Sequence, residues 1–248
     1  MRVLFAPLLL VLMAGSPAFP QAPTGGAMLR MTSSGKVHFL EPGTFPELLR
    51  VLPAPPEPGS LAALADLEAV LMVQAWRSPD QVAYAKKIDE ASVFAYAEVL
   101  GPWFTAEQLP VLTKFFKQVN NDAGAAIGQA KNRFARLRPP YVDAQVHPCI
   151  DVPARKSFSY PSGHSTELNL EALVLAEIFP EKRENLLAWG RKAAWGRILA
   201  GVHFPTDDVG GRILAEALLV ALRKNPAFLA AIENCRKESA PFLLEKAG

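Results

Sequence analysis

Cysteine and histidine are scarce in this chain, with two Cys and four His in 248 residues. Zinc sites of the Cys/His type need about four ligands, with close pairs among them, and Cys149 and Cys235 stand far apart with no such company. His38, His147, His164 and His203 have too few clustered carboxylates around them to complete a metal shell. No metal is therefore expected. Charge of one sign is not concentrated either. The formal net charge is +2, no Lys/Arg block occurs, and a nucleic-acid partner is disfavoured. Past the N-terminus, no apolar run reaches spanning length without Glu, Lys or Arg interrupting it, so no stable membrane insertion is expected. Alternating strand patterns and internal repeats are missing too.

Half of the residues are hydrophobic, which supplies a sizeable core and excludes global disorder. Arg2, the apolar run from Val3 to Gly15 and the small residues of SPAFPQA have the form of a secretory signal peptide. Cleavage after Ala18 or Ala22 fits, so residues 1–22 are read as the signal and the protein as periplasmic or secreted. In that compartment a lone pair of cysteines is expected to close a Cys149–Cys235 disulfide. Residues 23–59 read as an extended N-terminal arm, since the prolines of LPAPPEPGS fix φ and remove donors.

Residues 60–248 read as one compact all-α domain. Ser60 is a fair N-cap for LAALADLEAVLMVQAW, and Ser78-Pro79 opens a second helix. Thr105 and Gln108 have capping-box spacing, but Pro110 places the regular helix start beside the proline. Apolar residues from Leu112 to Phe134 then recur at helical spacing towards Leu137. Further helices are expected over HSTELNLEALVLAEIF, from about Glu181 to Val202, from near Pro205 to about Leu222, and through NPAFLAAIENCRKE.

Three clusters carry chemistry. In KNRFARLRPP, Lys131 and Arg138 are seven apart, so a continuous helix would set them on one face about 10 Å apart. Alone, this reads best as a solvated basic face, because Arg133 and Arg136 are close by. In YPSGHS, Gly163 permits close backbone approach or positive φ, and free N–H groups at the following helix start suit an anion. Ser162 adds a hydroxyl, and His164 can exchange a proton near neutral pH. A capped turn with an exposed His explains this stretch equally well. In GRILAGVHFPTDD, Asp207 lies four residues beyond His203 and could fix its tautomer, leaving the other ring nitrogen as a nucleophile. Together the clusters give three cations, a loop of donors, two His and one orienting Asp. That inventory suits a tetrahedral oxyanion in a metal-free site.

The set Lys131-x6-Arg138-Pro139, Pro161-Ser162-Gly163-His164 and Arg197-x5-His203-x3-Asp207 resembles the three-part signature of the type 2 phosphatidic acid phosphatase superfamily, which also includes vanadium haloperoxidases. All three parts occur in the family's order and spacing, and the resemblance runs from about Leu52 to Phe228. LPAPPEPGS, YPSGHS and ALVLAEIFPEKR look most like the secreted bacterial class A non-specific acid phosphatases. The resemblance implies His203 as a nucleophile forming a phosphohistidine, Asp207 as its orienting partner, and His164 as general acid and then base. It implies Lys131, Arg138, Ser162, Gly163 and Arg197 as the phosphate-binding set. Two positions depart from it. Gly196 stands where the family usually has Ser, and Pro205 is closer to the wider superfamily than to class A.

The function expected from this resemblance is a periplasmic acid phosphatase acting on small phosphate monoesters, without a cofactor, and with vanadate as inhibitor or transition-state analogue. The alternatives are a vanadium-dependent haloperoxidase, a lipid-phosphate phosphatase, and a non-catalytic helical anion-binding module. An apolar arm could cover a partner, which leaves room for a homo-oligomer.

Overall fold

The computed structural model describes residues 36–155 and 157–244. The segment read as a signal peptide lies outside them. Within these residues ten α-helices run in chain order: α1 (Phe45–Val51), α2 (Leu61–Trp76), α3 (Pro79–Asp89), α4 (Ala97–Leu100), α5 (Pro110–Phe134), α6 (Pro139–Val142), α7 (Gly163–Ile178), α8 (Arg183–Leu199), α9 (Pro205–Leu222) and α10 (Pro226–Leu244). Among the described residues there is no strand.

The expected helix starts are present. The Ser60 hydroxyl accepts from the Ala63 N–H at 3.2 Å. Ser78 and Gln81 form a reciprocal capping box, at 3.3 and 2.9 Å. At Pro110 the proline supplies the first turn of α5, where its missing N–H costs nothing.

The arm is less extended than its prolines suggest. α1 interrupts it with Pro46 in its first turn, Glu47 beside it and Arg50 in its last turn, a charge order that follows the helix dipole. Phe45 and Leu48 are buried, and α1 packs on α5 and α9. Before α1, the N–H groups of His38, Phe39 and Leu40 all donate to the buried Asp122 carboxylate of α5, at 2.6, 2.8 and 3.0 Å. After α1 the chain is extended, and the Pro53 carbonyl accepts from the Tyr160 hydroxyl at 2.7 Å. This contact ties the LPAPPEPGS stretch to YPSGHS.

α7 is the central helix. Leu168, Leu170, Ala172, Val174, Leu175, Ala176 and Ile178 are all buried, as expected of a helix apolar on every side. It packs against α8 and α9 and also meets α5 and α10. The α7–α9 approach depends on Gly211. A Cβ there would sit 2.7 Å from Ser165 Cβ and 2.9 Å from the Ser162 carbonyl oxygen. Gly211→Ala should therefore lose about 2 kcal/mol, because the clash outweighs the gain in helix propensity. Chemical denaturation would read this as a lower midpoint, and an unchanged midpoint would contradict so tight a crossing.

The expected Cys149–Cys235 disulfide is not formed, and both thiols are free. Cys235 is buried on α10 within the main core. Cys149 lies in the loop beyond α6, in a separate small cluster with Leu199, and its Sγ is 3.9 Å from the Leu199 carbonyl oxygen. Even cysteine arithmetic could not tell that the two residues pack in different clusters.

Candidate active site

The loop from Gly201 to Phe204 joins α8 to α9 and carries His203, which is 1% exposed. Its Nδ1 is 3.2 Å from Asp207 Oδ2, one helical turn ahead. Its Nε2 is 2.8 Å from Arg138 Nη1. A guanidinium can only donate, so Nε2 must present its lone pair, and Nδ1 carries the proton to the carboxylate. Two independent partners thus set the same tautomer. The Asp207 carboxylate also accepts from the Phe204 N–H at 2.9 Å.

Arg138 does not share a helix face with Lys131. α5 ends at Phe134 because Ala135 turns left-handed, at φ 46°. Arg138 is extended, as a residue before proline prefers, and forms the N-cap position of α6. The early break swings its guanidinium inward. There Nε donates to the Ser157 carbonyl at 2.7 Å and Nη1 to the Val202 carbonyl at 3.0 Å.

Arg136, which the sequence reading set aside as part of a solvated face, is central. Its Nη1 donates to Asp207 Oδ1 and to Thr206 Oγ1, both at 2.7 Å, and its Nη2 to Asp66 Oδ2 at 2.7 Å. The Thr206 N–H donates to Asp66 Oδ1 at 3.2 Å. The guanidinium also lies 4.1 Å above the Phe204 ring. Burial pushes the Asp207 carboxyl up, while the Arg136 ion pair and the Phe204 N–H hold it down. With three donors converging on it, Asp207 is held as the carboxylate that His203 needs. The only sequence signal for Asp66 was its place as the one acid among the apolar residues of Leu61–Leu67.

Arg197 projects from the last turn of α8 and is 2% exposed. Its Nη1 pairs with Asp89 Oδ1, at the end of α3, and its Nε is buried without a partner. His164 Nε2 lies 3.2 Å from the Asp89 carbonyl oxygen and 3.9 Å from its carboxylate. Asp89 thus holds both a candidate phosphate ligand and a candidate proton donor. Gly196 accounts for this placement. A Cβ there would be 3.2 Å from Ile88 Cγ2 and 3.3 Å from Ile88 Cβ. Without it, Ile88 packs on α8 and brings its neighbour Asp89 to Arg197.

The YPSGHS stretch does start a helix. The Tyr160–Pro161 peptide is cis. Ser162 is the N-cap of α7, and its hydroxyl accepts from the Ser165 N–H at 3.3 Å, which leaves the hydroxyl hydrogen for an anion. Gly163 is the first helical residue and does not adopt positive φ. Its N–H and that of His164 are first-turn amides without an intrahelical acceptor. A Cβ at Gly163 would be 3.9 Å from Lys131 Cε, so the lysine stem runs against this turn. Lys131 Nζ donates to the Phe158 carbonyl.

The electrostatics follow from crowding cations in a buried place. Burial, then Arg138, lower the Lys131 pKa to about 7. Burial, then Arg197, lower His164 to about 4. Burial, then Arg138, Lys131 and Arg197, hold His203 well below the usual range. One turn beyond Gly163, burial raises the Glu167 carboxyl to about 7, against the pull of Lys131. Each cation is destabilised by the others, so the set is built to receive negative charge. Among the described residues, no three His, Cys, Asp or Glu side chains group as a metal-binding cluster. No helix of the described residues is long and apolar enough to cross a membrane.

Residues 119–228 match the family model described as the PAP2 superfamily. The matched span contains Lys131, Arg138, Ser162, Gly163, His164, Arg197, His203 and Asp207, while Asp66 and Asp89 precede it. The chain is 29% identical over 217 residues to a non-specific acid phosphatase of Providencia stuartii, covering 85% of this chain and 88% of the relative. It is 36% identical over 155 residues to an acid phosphatase of Zymomonas mobilis subsp. mobilis, covering 61% of this chain and 56% of that protein. Among solved structures, a bacterial vanadium-dependent iodoperoxidase shares the fold at a TM-score of 0.52 and 18% identity, over 70% of this chain and 53% of that one.

Proposed function

We propose that this protein is an exported acid phosphatase that hydrolyses small phosphate monoesters through a phosphohistidine on His203. The observation that carries the reading is the doubly fixed tautomer of His203, whose lone pair points at Arg138 amid the crowded cations Arg138, Lys131 and Arg197. In the proposed reaction an incoming phosphoryl oxygen takes the Arg138 N–H, freeing Nε2. The Nε2 lone pair attacks phosphorus, the bond to the leaving oxygen breaks, and His164 gives that oxygen its proton. Water then attacks the phosphohistidine while His164 takes back a proton. The P–N bond breaks and His203 returns neutral, with inorganic phosphate as product. Lys131, Arg138, Arg197, the Ser162 hydroxyl and the first-turn amides of α7 hold the non-bridging oxygens. Vanadate should occupy the same cradle as an inhibitor. Export rests on the N-terminal Arg2 and its apolar run.

An acid optimum follows from the shifts. Depressed His203 stays a neutral nucleophile into the acid range. Bound phosphate offsets the cationic excess and raises His164 above its ligand-free value of about 4, making it a competent acid. Lys131, lowered to about 7, is a cation below that pH and loses its charge above it, so anion binding weakens on the alkaline side. The test is competitive inhibition by inorganic phosphate across pH, with an aryl phosphate as substrate. In Lys131→Arg, whose charge persists, the alkaline loss of phosphate affinity should shift upward by about one pH unit or more. Phosphate's own titration is common to both proteins. Coincident profiles would remove Lys131 as the source of that limb, and no turnover of the aryl phosphate at any pH would end the phosphatase reading.

A further inference from the structure

An open cavity of about 490 Å³ adjoins the candidate site, lined by Lys86, Asp89, Glu90, Pro148, Cys149, Ile150 and Asp151. Asp89 is the shared wall. It faces this cavity, and it also contacts His164 and pairs with Arg197. The position of the cavity follows from the proposed reaction. An in-line displacement puts the leaving oxygen opposite the attacking His203 Nε2, on the side of the proton donor. That donor is His164, which abuts Asp89. The departing alcohol therefore enters this cavity, while the phosphoryl group meets the buried, unpartnered Arg197 Nε.

The lining has a definite charge. Asp89 is neutralised by Arg197. The remaining charged groups of the lining are the carboxylates of Glu90 and Asp151 and the ammonium of Lys86, and none of them makes an ion pair or a side-chain hydrogen bond with another described residue. Two free carboxylates against one ammonium give the mouth a negative excess. This is the reverse of the phosphate cradle behind it. A second phosphate or a carboxylate on the alcohol would meet that excess, whereas an ammonium would be drawn to it.

We propose that this cavity is the leaving-group subsite, and that it selects phosphate monoesters of cationic and neutral alcohols, amino alcohols foremost, over esters that bear a second anion. The selection rests on the phosphatase reading above and adds the substrate class. Glu90 and Asp151 set it as exposed charges, so each contributes a factor of about two to five and salt weakens both.

The experiment compares kcat/KM for phosphoethanolamine, glycerol phosphate and 3-phosphoglycerate at fixed low ionic strength. It uses the unaltered protein, Glu90→Gln/Asp151→Asn and Lys86→Gln. The unaltered protein should rank them amino alcohol, then glycerol, then carboxylate. The double variant should cut the ratio of first to last by about tenfold, and Lys86→Gln should raise it. A ratio that stays the same in the variants, or one already reversed in the unaltered protein, overturns the subsite with phosphatase activity intact. Loss of all turnover in the unaltered protein instead overturns the phosphatase reading, and the substrate class falls with it.

Discussion

His203→Ala should lower kcat for an aryl phosphate by about 10,000-fold or more, because it removes the nucleophile and not merely a binding group. Phosphate should still bind, since Lys131, Arg138, Arg197 and the α7 amides remain. Its inhibition constant should move by less than about tenfold, which separates lost chemistry from a lost pocket. His203 is almost fully buried, so truncation also opens a cavity. His203→Gln fills that space and can still hydrogen-bond, yet it supplies no nucleophilic nitrogen. It should show the same loss with less destabilisation. Turnover in His203→Gln within about tenfold of the unaltered protein would contradict covalent catalysis at this position.

Arg136→Ala should be the most destabilising single change at the site. It leaves two buried carboxylates, Asp66 and Asp207, without their shared guanidinium. Breaking a buried pair in this way costs about 3–5 kcal/mol, because the uncompensated charge remains in place. In a domain of this size that corresponds to a fall in Tm of about 10 °C. Activity should fall as well, since Asp207 would take up a proton and cease to fix the His203 tautomer. The loss should be steepest at low pH, where that proton is easiest to gain. Arg136→Lys keeps one charge but cannot bridge Asp66, Thr206 and Asp207 together, so it should recover only part of the stability. Thermal melting of both variants decides the matter. A Tm unchanged in Arg136→Ala would make the network incidental.

The helices were legible in the sequence where caps and periodicity agreed, as at Ser60, Ser78 and Pro205. The all-α class followed from them. The candidate phosphate-binding and histidine positions were legible as a three-part spacing, and the structure sets Arg138 and Asp207 against His203, and Arg197 and His164 against Asp89. Three features were hidden. α1 was masked by the prolines that follow it, although Phe45, Leu48 and Leu52 carry a helical spacing. Arg136 looked like a surface charge because its partners, Asp66 and Asp207, come from α2 and α9. Asp89 had no motif at all, and its role depends on Gly196 letting α3 approach α8. In each case the deciding contact joins residues about 70 or more positions apart, or joins helices whose crossing no local pattern encodes. The free cysteines belong to the same group, since a disulfide needs a proximity that composition cannot supply.

Phosphoryl transfer to His203 is the step on which the proposed reaction depends. Its most direct test is rapid quenching of the unaltered protein during turnover of a phosphate-labelled aryl ester, followed by mapping of the label. The expected product is a phosphoenzyme that is labile to acid and stable to base, with the phosphate on His203, and no label in His203→Gln. Turnover at full rate with no covalent label, or label on any other residue, would contradict it.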